Sequence, residues 1–325
     1  MRVVSIVGAR PQFVKLAPVS RSMADMELTG GLNIEDIIVH TGQHYDHNMS
    51  DVFFDELRIP KPDVHLDVGS GLHGAQTAKM LEGIESVLVD KQPDVVVIYG
   101  DTNSTVAGAL AAAKLHIPIA HVEAGLRSFN KNMPEEINRI VADHVSDLLL
   151  APTATAMQNL AVENLEAISA FSGDVMLDAV RFNAGLAREQ STIVESLGVE
   201  SQSYAVVTIH RASNTNLETL LPILDTLNDI ATRHLPIIFP AHPRTIAALK
   251  NSDVPWQPAP RLRVMDPLGY IDMLSLVDNA SLVLTDSGGL LKVACVVNVP
   301  CVTLREESEW PVTLGAGGKI LSVSS

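Results

Sequence analysis

The sequence has little of several things, and each shortage excludes something. No apolar run in the 325 residues reaches the ~18 needed for a membrane-spanning helix, so no membrane partner is expected. There are only two cysteines, Cys295 and Cys301, both in apolar surroundings. Their spacing fits neither a metal site nor a redox pair, so they read as core thiols of a protein in the reducing cytoplasm. Cations are scarce, with 23 Lys and Arg against 38 Asp and Glu and a net charge of −15. That argues against nucleic acid as a partner, because phosphate contacts need clustered Lys and Arg. The histidines are scattered and the carboxylates lack the spacing of a calcium loop, so no metal is expected. There is no internal repeat, low-complexity tract or Gly/Ser linker.

What is present is a regular alternation. The opening "MRVVSIVGAR" is too short in its apolar part for a secretory signal and reads as a first strand. "RVVSIVG", "EDIIVHTG", "DVVVIYGD", "IPIAHVEAG" and "DLLLAPT" read as buried strands. Helical patterns lie between them: "VFFDEL", "GAQTAKMLEGIESVLVDK", "NSTVAGALAAAKLH" and "EEINRIVADHV". The pattern restarts with the strands "YAVVTIH", "LPIIFPAHP", "LRVMDPL", "SLVLTDSGG" and "VPCVTLR". The expected architecture is α/β, with two Rossmann-like doubly wound domains, 1–169 and 170–325, facing a central cleft.

Open parallel sheets bind ligands beyond the carboxyl ends of their strands, and polar residues gather there in both halves. "GARPQFVK" lacks the glycine spacing of a dinucleotide fingerprint or P-loop. Its Arg10 and Lys15 read either as phosphate contacts at a helix N-terminus or as solvated cations. "TDSGGLLK" frees the backbone at Gly288 and Gly289 after Ser287, either for an anion or as a plain strand-to-helix turn. Asp101 and Glu123 follow buried strands and are the sharpest acid/base candidates, although Asp101 could equally cap the next helix. Glu135 sits in a first turn behind Pro134, where it suits the helix dipole and could pair with Arg139. His210, beside Arg211, reads either as a strand-end histidine or as part of an anion site. Spacing alone supports a two-domain, anion-binding enzyme.

Taken together and in order, "GARPQFVK", "HTGQHYDHNMSD", "YGDTNSTVAGALAAAKLHIPIAHVEAGLRSFN", "MPEEINR", "TIHRA", "PAHPRT" and "LTDSGG…VPCVTLREESEWP" resemble the non-hydrolysing UDP-N-acetylglucosamine 2-epimerases. The resemblance implies a glycosyltransferase-B-like fold, a UDP-sugar substrate, no NAD or metal cofactor, and a homodimer. It also implies the chemistry: UDP is eliminated to give 2-acetamidoglucal, then added back to an intermediate protonated on the other face. By the same resemblance Asp101, Glu123, Glu135 and His210 are the catalytic residues. Arg10 and Lys15 would meet the diphosphate, with Arg211 and the turn Ser287, Gly288 and Gly289.

The chain departs from the family pattern at three positions. Leu291 and Val293 stand where Gln and Glu are usual, and Ser213 replaces an acid. That Glu generally accepts both ribose hydroxyls, so weak UDP binding is expected, tightened by Val293→Glu. The chain ends at "GGKILSVSS", so a shortened C-terminal helical segment is also expected. The rival readings are an epimerase of UDP-2,3-diacetamido-2,3-dideoxyglucuronic acid and a degenerate, non-catalytic nucleotide-sugar binder.

Overall fold

The computed structural model describes residues 1–31, 33–43, 58–250, 256–304 and 320–322. The helix expected at "VFFDEL" lies outside the described residues, as does the side chain of Arg10. The chain divides into two compact units, Met1–Ala179 and Val180–Ser325.

The first unit is built on seven parallel strands: β1 (Arg2–Val7), β2 (Glu35–His40), β3 (Val64–His65), β4 (Val95–Tyr99), β5 (Ile119–Val122), β6 (Leu148–Ala151) and β7 (Ser169–Phe171). Their spatial order is β3-β2-β1-β4-β5-β6-β7. Runs such as Val3, Val4 and Ile6 on β1 and Val96 and Ile98 on β4 are fully buried. Strands covered by helices on both faces need apolar side chains in both directions, and β-branched residues fill that role. The helices are α1 (Arg10–Leu28), α2 (His73–Lys91), α3 (Asn103–Lys114), α4 (Pro134–Val145) and α5 (Ala154–Val162). Pro134 starts α4, where its missing N–H has no acceptor to lose, and Glu135 and Glu136 follow in the first turn. The next helix, α6 (Val175–Gln190), carries the chain from one unit into the other.

The second unit repeats the plan with β8 (Ala205–Thr208), β9 (Ile237–Pro240), β10 (Leu262–Met265), β11 (Leu282–Thr285), β12 (Cys301–Thr303) and β13 (Ile320–Ser322). All are parallel, in the order β10-β9-β8-β11-β12-β13. Its helices are α7 (Ile193–Leu197), α8 (Ala212–Thr215), α9 (Leu217–Arg233), α10 (Pro243–Lys250), α11 (Tyr270–Asp278) and α12 (Gly288–Val296). Both units are therefore Rossmann-like doubly wound domains.

The strand order reverses beside β1 and β4 in the first sheet, and beside β8 and β11 in the second. A doubly wound sheet opens its ligand crevice at such a point, where consecutive connections leave on opposite faces. Three strands were not expected from sequence: β3, β7 and β13 have only two or three residues each and show no readable alternation. The pairing of β7 with β6 extends the first sheet through Phe171, within the compact unit that ends at Ala179.

Candidate active site

In the first unit the helix after β1 and the loops after β4 and β5 bring three expected residues, Lys15, Asp101 and Glu123, to one sheet edge. Tyr99 and Val122 pair across β4 and β5, so Gly100-Asp101 and Glu123 leave the sheet side by side. Gly100 takes a left-handed φ of 63°, and a Cβ there would lie 2.8 Å from the Lys15 ammonium. Lys15, carried inward by α1, is ion-paired with Glu123, and both side chains are only 9% exposed. Burial works against the ammonium's charge, but Glu123 and then Asp101 outweigh it and hold the Lys15 pKa above its ordinary value. The cation expected at the diphosphate is thus committed to the acid that the sequence singles out.

Asp101 is not the helix cap. Thr102 caps α3, its N–H donating to Thr105 Oγ1 at 3.1 Å. The Asp101 carboxylate instead accepts from Arg139 Nη2 at 2.5 Å. Arg139 also reaches Glu136 Oε2 at 3.2 Å. The suggested Glu135–Arg139 pair is absent: Arg139 and Glu136 point inward from α4, whereas Glu135 is exposed. Glu136 holds the loop before α4, accepting from the Ser128 and Phe129 N–H groups at 2.8 and 2.9 Å. Burial would raise its pKa, but those N–H groups, the Ser128 hydroxyl and Arg139 prevail and hold it low.

The loop after β1 is closed by Gln12, which sequence reasoning did not single out. Its Oε1 accepts from the N–H groups of Gly8 and Ala9 at 2.8 and 3.1 Å. Its amide donates to the Tyr99 carbonyl at 2.8 Å and Thr105 Oγ1 at 3.0 Å, tying the β1 and β4 loops together. A Cβ on Gly8 would meet Thr41 Oγ1 at 2.0 Å and Ser104 Oγ at 2.2 Å, so only glycine fits.

In the second unit the switch point is spanned by an Asp–His pair. His210, after β8, places Nδ1 2.7 Å from Oδ1 of the fully buried Asp286, after β11. The same carboxylate accepts from the His210 and Arg211 N–H groups at 3.0 and 2.9 Å, and from Asn214 Nδ2 at 3.1 Å. Arg244, after β9, donates to the His210 carbonyl at 3.3 Å, and the rings of His210 and His242 stand 6.0 Å apart. Ser287 caps α12, its hydroxyl accepting from Leu290 N–H at 3.3 Å. The N–H groups of Gly288 and Gly289 lie in the first turn, where a helix supplies no acceptor. Asp286 stood in the "DSGG" stretch picked out at the sheet edge but was given no role, although the signal was present: a carboxylate directly after a buried strand, the reasoning already applied to Glu123.

Leu291 and Val293 are buried, 1% and 6% exposed, in the apolar cluster beneath α11 and α12. Ser213 is exposed. Among the described residues, no group of three or more His, Cys, Asp or Glu is placed to hold a metal ion, and no helix is long and apolar enough to cross a membrane.

Burial would raise the Asp286 pKa, but His210 and the two N–H groups hold it below the ordinary value, and Glu136 behaves alike. Such a group stabilises the fold above its unfolded pKa of about 4, and that contribution is lost as pH falls through the lower folded value. The thermal midpoint should therefore hold at mildly acidic pH and fall steeply below about pH 4. Asp286→Asn should flatten that fall; an unchanged acid slope in the variant would show that Asp286 does not carry it.

The UDP-N-acetylglucosamine 2-epimerase family model matches residues 26–325. A UDP-N-acetylglucosamine 2-epimerase homolog of Methanococcus maripaludis is 46% identical, covering 99% of this chain and 88% of its own. The UDP-2,3-diacetamido-2,3-dideoxy-D-glucuronate 2-epimerase of Pseudomonas aeruginosa is 45% identical with the same coverage of 99% and 88%. Among solved structures, the Methanocaldococcus jannaschii UDP-GlcNAc 2-epimerase in complex with UDP-GlcNAc and UDP is 42% identical, with a TM-score of 0.85 over 99% of this chain and 89% of that one. A match over nearly the whole chain, on a fold with two doubly wound domains, carries the conclusion: this chain belongs to the non-hydrolysing UDP-N-acetylglucosamine 2-epimerase family.

Proposed function

We propose that this protein reversibly epimerises UDP-N-acetylglucosamine at C2 to UDP-N-acetylmannosamine by eliminating and re-adding UDP, as a precursor for surface polysaccharide. The observation that carries the reading is the pair of carboxylates, Asp101 and Glu123, leaving adjacent strands and each set against a cation. Inversion at C2 needs a base that removes the C2 proton while the C1–O bond to the diphosphate breaks, leaving a C1=C2 double bond. It then needs an acid that returns a proton to the opposite face of C2 as UDP adds back. Two adjacent carboxylates can share those two tasks, with the exposed Glu135 as the third acid of the proposal.

The second domain serves the leaving group. With Nδ1 of His210 turned to Asp286, Nε2 is the nitrogen left to face the departing diphosphate. Arg211 and the first-turn N–H groups of α12, beginning behind Ser287, would take up its negative charge. The proposal includes a cytoplasmic location and a homodimer, the latter measurable by light scattering.

One observation favours a second substrate: the 45% identity to the Pseudomonas aeruginosa enzyme named for UDP-2,3-diacetamido-2,3-dideoxy-D-glucuronate. The bonds made and broken would be the same. Incubating the protein with each sugar in heavy water, without NAD or metal, and following C2 by NMR decides the matter. Deuterium at C2 of UDP-N-acetylglucosamine and the appearance of the manno epimer are expected. Exchange in the glucuronate alone would reassign the substrate. An unexchanged C2 proton in both sugars, with binding demonstrated, would make the protein a non-catalytic binder.

A further inference from the structure

The strand that delivers Glu123 also carries a buried polar network that the proton-handling scheme does not use. Glu123 itself has a φ of 72°, the left-handed region that a side chain with a Cβ adopts only under constraint. The N–H groups of Glu123 and Ala124 both lie 3.1 Å from the Leu150 carbonyl, and Gly125 follows with a φ of 79°. One carboxylate brackets this turn. Asp143, fully buried on α4, sets Oδ1 2.7 Å from Nδ1 of His121, two residues before Glu123. Its Oδ2 accepts from the N–H of Gly125, two residues after, at 3.1 Å. Arg127 Nη1 closes the cluster 2.7 Å from Oδ2, while Nε and Nη2 engage Glu163 at 2.8 and 2.7 Å.

The network also reaches the other acid. Nε2 of His121 lies 2.8 Å from the carbonyl of Gly100, the residue before Asp101. Asp143 stands four residues after Arg139, so the two share one face of α4. From that face Arg139 holds the Asp101 side chain and Asp143 holds the backbone around Glu123. One helix thus fixes both acids relative to each other.

We propose that Asp143 is a positioning residue: with His121 it clamps the strained turn at Glu123 and the Gly100–Asp101 loop, and so sets the spacing of the two carboxylates. The consequence for turnover rests on the epimerase reading; the clamp itself does not. Loss of the clamp should let Glu123 relax from its left-handed backbone and move its carboxylate. A displacement on the order of 1 Å in a reacting group is enough to lower a rate about 100-fold.

The test compares the full chain with Asp143→Ala and His121→Asn, by hydrogen exchange and by kinetics. Ala at 143 removes the acceptor of the Gly125 N–H and the partner of His121, while the Arg127 guanidinium keeps Glu163. In Asp143→Ala, amides in 123–129 and 99–102 should exchange about tenfold faster or more, with the second domain and α2 unchanged. His121→Asn should loosen 99–102 more than 123–129, because it cuts only the arm to Gly100. With the UDP-sugar, kcat should fall roughly 10- to 100-fold while KM stays within about threefold, since uniform binding is untouched. Faster exchange spread through the whole first domain, or unchanged exchange in the two loops, would overturn the proposal, as would local loosening with kcat intact. If the wild type turns over neither UDP-sugar, it is the epimerase reading that falls, and the exchange pattern alone still decides whether Asp143 clamps the turn.

Discussion

Glu123→Gln should lower turnover by more than about 100-fold, the scale of losing a general acid or base. The amide occupies the same volume but can neither take nor give the proton. The substitution also leaves the Lys15 ammonium buried without its carboxylate. Removing one partner of a buried pair costs up to about 3–5 kcal/mol, and here less, because Asp101 also favours the Lys15 charge. The loss of rate therefore has to be separated from a loss of folded protein. Lys15→Met combined with Glu123→Gln removes both charges and should recover much of the stability without recovering turnover. Turnover measured well below each variant's thermal midpoint makes the separation. A loss below about tenfold in Glu123→Gln would remove Glu123 from the proton-handling pair.

Val293→Glu should destabilise the second domain and should not tighten UDP binding. The sequence suggested the opposite, since a carboxylate four residues after Gly289 could reach a ribose. In the structure Val293 is 6% exposed and belongs to the same apolar cluster as Leu291, Ala294 and Val283. An unpaired carboxylate in such surroundings either stays ionised at a cost of several kcal/mol or takes up a proton, and then cannot accept charge-assisted bonds. The expected penalty is about 3 kcal/mol, seen as a fall of several degrees in the thermal midpoint. Calorimetric titration of UDP into both proteins supplies the other half. Tighter binding in the variant with an unchanged midpoint would show that the side chain turns outward to the ribose.

Much of the fold was legible because parallel strands buried on both faces give uninterrupted Val and Ile runs, and those at β1, β4, β8 and β11 define both switch points. The loops carrying Asp101, Glu123 and His210 were legible for the same reason, since each follows such a run directly. Pairings across distance were not. Nothing in the local sequence says that Lys15 turns inward to Glu123, or that Arg139 prefers Glu136 and Asp101 to Glu135. Periodicity pointed the other way on the last result, because Glu135 stands four residues before Arg139 on the same face of α4, yet it is exposed in the first turn. The clamp by Asp143 was invisible for another reason: its partners are backbone groups at Gly125 and Gly100, reached directly and through His121, and backbone atoms leave no mark on a sequence.

The left-handed backbone at Glu123 sets stability and chemistry against each other at a single residue. A side chain with a Cβ is disfavoured there by about 1–2 kcal/mol relative to glycine. A library of this protein sorted only for heat resistance is therefore drawn toward glycine at position 123 once Lys15 is replaced by an apolar residue and needs no counter-charge. Such a selection would discard the acid while reporting improvement. Engineering for robustness has to hold this corner fixed, or score each round by turnover.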